Sequence, residues 1–335
     1  MLSAKRVIHA IRRIPPGVTL LFLAPVLGEL VSAHQTPLEF INPMNFLLLS
    51  LPYGFGALVV RELTVKWEKG WPSLLLLGLA YGIYEEAIVV YSVFDPQWKE
   101  LGSLSRYGFV AGVNWTWAAL TIHFHTLISI SSGIIITELL YPAKRHRPWL
   151  KKKFLIACFA GLILWVPALG YIMIVYTGRT FPPPALYSLA CLLIILLVWV
   201  AYRIPEHLLQ PNNRSVPWPV FFFITGLVNM SVFFFTVFLT ADHSFPPLWL
   251  TMLFLICFDG LSVWLVLYFS GNGYNWDERH VLALIAGFLG FFIYFCFNKD
   301  FEHWAGRSIV GIFAIVLFWQ LYRFVSRYVK SRYGI

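Results

Sequence analysis

The chain has 335 residues, 59% of them hydrophobic and only 12% charged, with a mean hydropathy of +0.72. Globular proteins run near 45–50% apolar and about 25% charged, so a water-soluble domain is excluded and lipid must solvate most side chains. The formal net charge of +9 would suit nucleic acid. The basic residues fall between apolar runs, however, where anionic headgroups account for them and no nucleic-acid partner is needed.

Lys5, Arg6, Arg12 and Arg13 precede the first apolar run, Gly17–Ala33. With Val31-Ser32-Ala33 at its end, this region resembles a secretory signal with a small-residue cleavage site. Pro25, Gly28 and Glu29 interrupt it, which favours an uncleaved first span. Further runs of bilayer-crossing length follow at Met44–Val60, Pro72–Phe94, Asn114–Tyr141, Phe154–Tyr176, Ala185–Tyr202, Pro217–Thr240, Pro247–Ser270, Val281–Phe297 and Ser308–Val325. The expected fold is therefore all-α, a polytopic integral membrane bundle of about ten helices. With the N-terminus inside, alternate connections collect 20 Lys and Arg on the inner side. Only Lys99, Arg106, Arg179, Lys299 and Arg307 fall outside. Positive loops stay cytoplasmic, so both termini are expected there.

The connections are short. Asp95–Val113 is the longest outer one and is expected to cap whatever lies beneath it. The basic inner loop Pro142–Lys153 divides residues 1–141, four spans, from residues 154–325, six spans rich in Phe and suited to packing. Arg61-Glu62 stands at an inner helix end, where a snorkelling ion pair is expected. Cys158, Cys191, Cys257 and Cys296 lie in apolar runs without CxxC spacing and read as small buried hydrophobes.

Chemistry concentrates in the third and fourth spans. Glu85 and Glu86 lie well inside an apolar run, and an intramembrane carboxylate is a functional-site hypothesis by default. Glu85 is nine residues from Phe94, and His123 nine from Asn114. Both are expected roughly 14 Å below the outer boundary, near mid-bilayer. His123 and His125 face opposite ways on a helix. The polar stripe of Thr121, Ser129 and Ser132 favours His125 as the inward one, with His123 packed or interfacial. Gly78 and Gly82 precede Glu86 at four-residue steps, which allows close helix approach. Asn229 and Asp259 lie mid-span further on. Asn229 reads as helix–helix glue, while Asp259 could complete a site with Glu85, Glu86 and His125. A divalent metal such as zinc would then take His125, Glu86 and Asp259.

Two carboxylates and an imidazole in a low-dielectric site suit activation of water, with Glu as general base. Here the chain resembles the membrane-embedded glutamate proteases of the CAAX-processing and bacteriocin-processing type, through Glu85-Glu86 and His125 on the next span. The resemblance implies an intramembrane hydrolase with catalytic Glu85, Glu86 and His125, acting on a membrane peptide or lipid. The chain departs from that pattern at Val90 and Val89, where the family has Arg or Lys, and at Thr121, where it has Phe; no later span carries His-x-x-x-Asn. The stretches LAPVLGEL, WPSLLLLGLAYGIYEE and GVNWTW also resemble a group of uncharacterised bacterial multi-pass membrane proteins, which implies a bacterial cytoplasmic membrane. A proton- or ion-coupled transporter is the alternative, since a midplane cluster of ionisable groups is what such proteins use. A non-catalytic scaffold and a bis-His haem site are the remaining readings.

Overall fold

A computed structural model describes Ile8 and residues 10–178, 181–205, 208–302 and 304–334; Lys5, Arg6 and Arg179 of the charge pattern lie outside the described residues. Nine of the described helices are long and apolar enough to cross a membrane, and a tenth, Pro16–Val31, is shorter. In chain order they are α1 (Pro16–Val31), α2 (Pro43–Lys66), α3 (Trp71–Val89), α4 (Trp115–Leu140), α5 (Lys152–Tyr176), α6 (Pro184–Arg203), α7 (Pro219–His243), α8 (Leu248–Phe269), α9 (Glu278–Phe301) and α10 (Arg307–Arg332). Each corresponds to one apolar run of the sequence, so the protein is an all-α polytopic bundle. Helices are the form that satisfies every backbone polar group without water. Several open on proline at their first or second position, including α1, α2, α3, α6 and α7, where the missing N–H costs nothing.

The helix α4 is the centre of the molecule. Its side chains enter all three buried clusters: one with α1, α7, α9 and α10, one with α1, α2, α3, α5 and α6, and one with α3, α6, α7 and α8. Helices from both sides of the loop 142–153 therefore share each core. The approach of α3 to α4 is close, as the glycine spacing implied. A Cβ at Gly78 would stand 3.1 Å from the Thr126 methyl, and one at Gly82 would stand 3.0 Å from the Ile122 backbone.

Connections assigned to one side by charge meet at one end of the bundle. Arg61 donates to the carbonyls of Arg145 and Arg147, Lys69 to Ile204, and Arg332 to Glu278. At the other end Lys299 donates to the Ala33 carbonyl, His34 meets Glu100, and the Tyr107 hydroxyl donates to Pro246. Within that end the segment 90–113 folds over α3 and α4, burying Leu101 and Leu104 completely. It includes a two-residue hairpin of β1 (Phe109–Val110) and β2 (Val113–Asn114). Asn114 fastens it by capping α4 through Trp117 N–H while donating to the Leu104 carbonyl.

Three local expectations change. The third span ends at Val89 rather than Phe94, because Tyr91 takes a left-handed conformation at φ 58° and turns the chain. Glu86 therefore lies in the last helical turn. Arg61 and Glu62 do not snorkel: they are 1% and 0% exposed, paired at 2.8 Å, with the guanidinium 3.6 Å from the Trp149 ring. Cys158 and Cys296 are buried, but Cys257 is on the outside of the bundle.

Candidate functional site

The polar residues of α3 and α4 do converge. Glu86 Oε1 is 2.8 Å from His125 Nε2, and His125 Nδ1 is 3.2 Å from Ser129 Oγ. The second Glu86 oxygen accepts from Ser92 Oγ, which itself accepts from Trp117 Nε1 at 2.9 Å. Glu85 accepts from the Tyr81 hydroxyl at 3.1 Å. All of these side chains are buried, so each polar group is matched by a partner, as the loss of water requires.

The cluster extends to α1 and α2. Glu29 Oε1 accepts from the Tyr53 hydroxyl at 2.5 Å, and the Tyr53 ring centroid is 5.7 Å from that of His125. Glu29 Oε2 meets His34 Nδ1 at 3.3 Å, and His34 Nε2 meets Glu100 Oε1 at 3.2 Å. His34 is half exposed. The hydrogen bond to Glu100 raises its pKa to about 9 against the opposing effect of burial, with the Glu29 charge adding to the rise. Burial acts to raise the Glu100 carboxyl, but the bond and charge of His34 outweigh it and hold it below the ordinary carboxylate value. A line of ionisable and hydroxyl groups thus runs from the outer end of the bundle to His125.

Each helix gives its group from a π-helical stretch. Glu29 lies in Val26–Val31, Tyr53 in Ser50–Gly54, Glu85 and Glu86 in Tyr84–Val89, and His125 and Ser129 in His125–Ser132. A fifth stretch, Gly161–Trp165, presents the Leu162 carbonyl to the Tyr84 hydroxyl at 2.5 Å. A π-turn inserts one residue into the helix and re-aims its side chains, and such turns concentrate at functional sites.

His123 points the other way, as its spacing from His125 implied, but it is buried rather than interfacial. Its ring stacks on Phe233 with centroids 4.1 Å apart. Nε2 meets Asn229 Oδ1 at 3.1 Å, Asn229 Nδ2 donates to Asp259 Oδ1 at 3.0 Å, and Asp259 Oδ2 is 3.5 Å from His123 Nδ1. This closes a ring across α4, α7 and α8. The metal set of His125, Glu86 and Asp259 is therefore not assembled: Asp259 is taken by His123 and Asn229 on the opposite face of α4. Among the described residues no three His, Cys, Asp or Glu side chains are grouped to hold a metal ion.

The ring faces an open cavity of about 560 Å³ lined by α2, α3, α4, α7, α8 and α9. Its surface is mostly apolar, broken by Ser and Thr hydroxyls, and it reaches the basic end of the bundle at Lys69, Arg145 and His146. His123 lines it and the Glu86–His125 pair does not. Burial and then the charges of Arg145, Arg332 and Arg61 hold His146 below its ordinary pKa.

Glu29, Tyr53 and Tyr81 lie outside the site expected from sequence. Glu29 carried a signal, being a carboxylate inside an apolar run like Glu85. The tyrosines carried none, because aromatic residues are common throughout the spans.

A model of an uncharacterized membrane protein family matches residues 18–265, from α1 through most of α8. No curated protein and no solved structure matches the chain.

Proposed function

We propose, from the premise that the chain belongs to this uncharacterized membrane protein family, that it is a proton-coupled membrane transporter. One observation carries the reading: α4 presents His125 to a polar cluster reaching the outer end, and His123 to a cavity reaching the basic end. Two half-paths meeting at one helix are what alternating access to a buried site needs, and buried ionisable groups lining them supply proton relays. The basic end is the cytoplasmic one on this reading. In proteoliposomes containing a pH-sensitive dye, a panel of carboxylates, amines, sugars and amphiphiles is screened for substrate-driven proton movement. At least one member is expected to drive it, and Glu86→Gln and His125→Ala to abolish it. A panel that moves no protons through folded protein overturns the proposal.

Water activation by an intramembrane hydrolase has a specific observation in its favour, the 2.8 Å Glu86–His125 bond with Glu85 adjacent. A carboxylate so paired can draw a proton from water while the imidazole stabilises developing charge. Cleavage of membrane peptides or lipids, lost in the same two variants while folding survives, would select this reading over transport.

A further inference from the structure

The cavity's two ends differ in chemistry, and together they specify a ligand. At the basic end Arg61, Lys69 and Arg145 line the wall against Glu138, with Glu62 behind Arg61. Three cations against two carboxylates leave a net positive charge. Lys69 Nζ donates to the Ile204 carbonyl and Arg145 Nε meets Glu138 at 3.4 Å; an ammonium carries three donors and a guanidinium five, so both keep N–H groups for a further anion. Between this end and the ring the wall is largely Leu, Ile, Val and Phe from α3, α4, α8 and α9, interspersed with the hydroxyls of Thr126, Ser131, Ser132, Thr225 and Ser262. A volume of about 560 Å³ falls within the roughly 300–1,000 Å³ of small-molecule sites.

The His123–Asn229–Asp259 ring contains two hydrogen bonds and one 3.5 Å charge contact, and closing that contact as a third hydrogen bond takes a third hydrogen. The Asn229 amide supplies one and a neutral imidazole one, whichever way the amide is turned. The third must be an added proton, on His123 or on Asp259. With it the ring is neutral overall; without it the ring carries one negative charge and the 3.5 Å contact sets a lone pair against a carboxylate. The other ionisable groups facing the cavity are Arg61, Lys69, Glu138, Arg145 and His146; α7, α8 and α9 add none beyond Asp259.

We propose that this cavity binds an amphiphile with one anionic head and an aliphatic chain, and that the proton held in the His123–Asn229–Asp259 ring sets its affinity. The head lies at Lys69 and Arg145, the chain along the largely apolar wall, and loss of the ring proton places a repelling charge in the same chamber. This deepens the transport reading by naming the ligand class and the site where its proton is carried.

Equilibrium binding to the full chain in phosphatidylcholine nanodiscs tests it without requiring transport. Dodecanesulfonate keeps its charge at every pH, so any pH dependence belongs to the protein. It should bind at least tenfold more tightly than dodecyltrimethylammonium. Its affinity should fall as pH rises, by at most tenfold per pH unit for a single linked proton. Asp259→Asn supplies the third hydrogen from its amide and should bind tightly at all pH values, whereas His146→Gln should keep the wild-type pH dependence. Laurate and dodecyl phosphate decide whether a carboxylate or a phosphate head is preferred. Equal binding of the cation, wild-type pH dependence in Asp259→Asn, or its loss in His146→Gln overturns the inference. If Asp259→Asn does not fold, the wild-type head-group comparison and His146→Gln still decide. Proton-linked binding without proton flux in proteoliposomes would uphold this inference and fail the transport reading.

Discussion

Two side chains at opposite ends of the bundle make the electrostatics testable one residue at a time. Arg61 is buried and answers Glu62 and Glu138 together while covering Trp149. Removing one partner of a buried ion pair typically costs about 3–5 kcal/mol, because the other charge is left uncompensated. Arg61→Ala is therefore expected to lower the thermal midpoint in detergent far more than Arg147→Ala, which leaves only a backbone carbonyl contact in place. His34 tests the outer end. Its folded pKa lies at about 9, above the ordinary histidine value of 6.5. Its contribution to stability is fully present below the lower value and disappears as pH rises through the higher one. The midpoint difference between wild type and His34→Gln should thus be visible near pH 6 and vanish by about pH 10; since the side chain is half exposed, screening keeps it small. A difference that grows with pH would contradict the assigned pairing with Glu100 and Glu29.

Among the elements, the crossing of α7 and α9 is one that only glycine makes possible, at two positions. A Cβ at Gly226 would meet the Leu284 carbonyl, and one at Gly287 the Phe223 carbonyl, whereas at Gly290 the nearest atom is 3.7 Å away. Gly287→Ala should separate these helices and depress folded yield by fluorescence size-exclusion chromatography, while Gly290→Ala should match wild type or exceed it. Ten apolar runs, the opposed histidines and the Gly78–Gly82 approach were legible because length, 3.6-residue periodicity and small-residue spacing are local properties. The π-helical stretches were not. One inserted residue leaves composition unchanged, and only the partners it faces reveal the shift. The early end of α3 was hidden for a similar reason: Ile88, Val89 and Val90 continue the apolar run that Tyr91 breaks by conformation alone. Asp259 was visible as an intramembrane carboxylate, but which helix it would face was not, because α7, α8 and α4 are brought together only by the tertiary fold.

For the molecule as a whole, the grouping of basic connections at one end makes an orientation prediction. Cysteine placed at Lys151 should react with a membrane-impermeant maleimide only from the cytoplasmic side, and cysteine placed at Gln97 only from the opposite side. Reversed labelling would reverse the direction of both half-paths while leaving the fold unchanged. The distribution of burial is equally uneven: 72% of the apolar window of α3 and 67% of that of α4 is inside the protein, against 17% for α8. Yet Asp259 sits near the middle of α8, eleven residues from Leu248 and ten from Phe269. A helix packed on one flank has few neighbours to hold its tilt, and leaning is one way it accommodates hydrophobic mismatch, which costs fractions of a kcal/mol per Å. Thinner or thicker bilayers should lean α8 while α3 and α4 stand still, stretching first its reach to His123. Sensitivity to acyl-chain length would then be built into the same carboxylate that completes the ring.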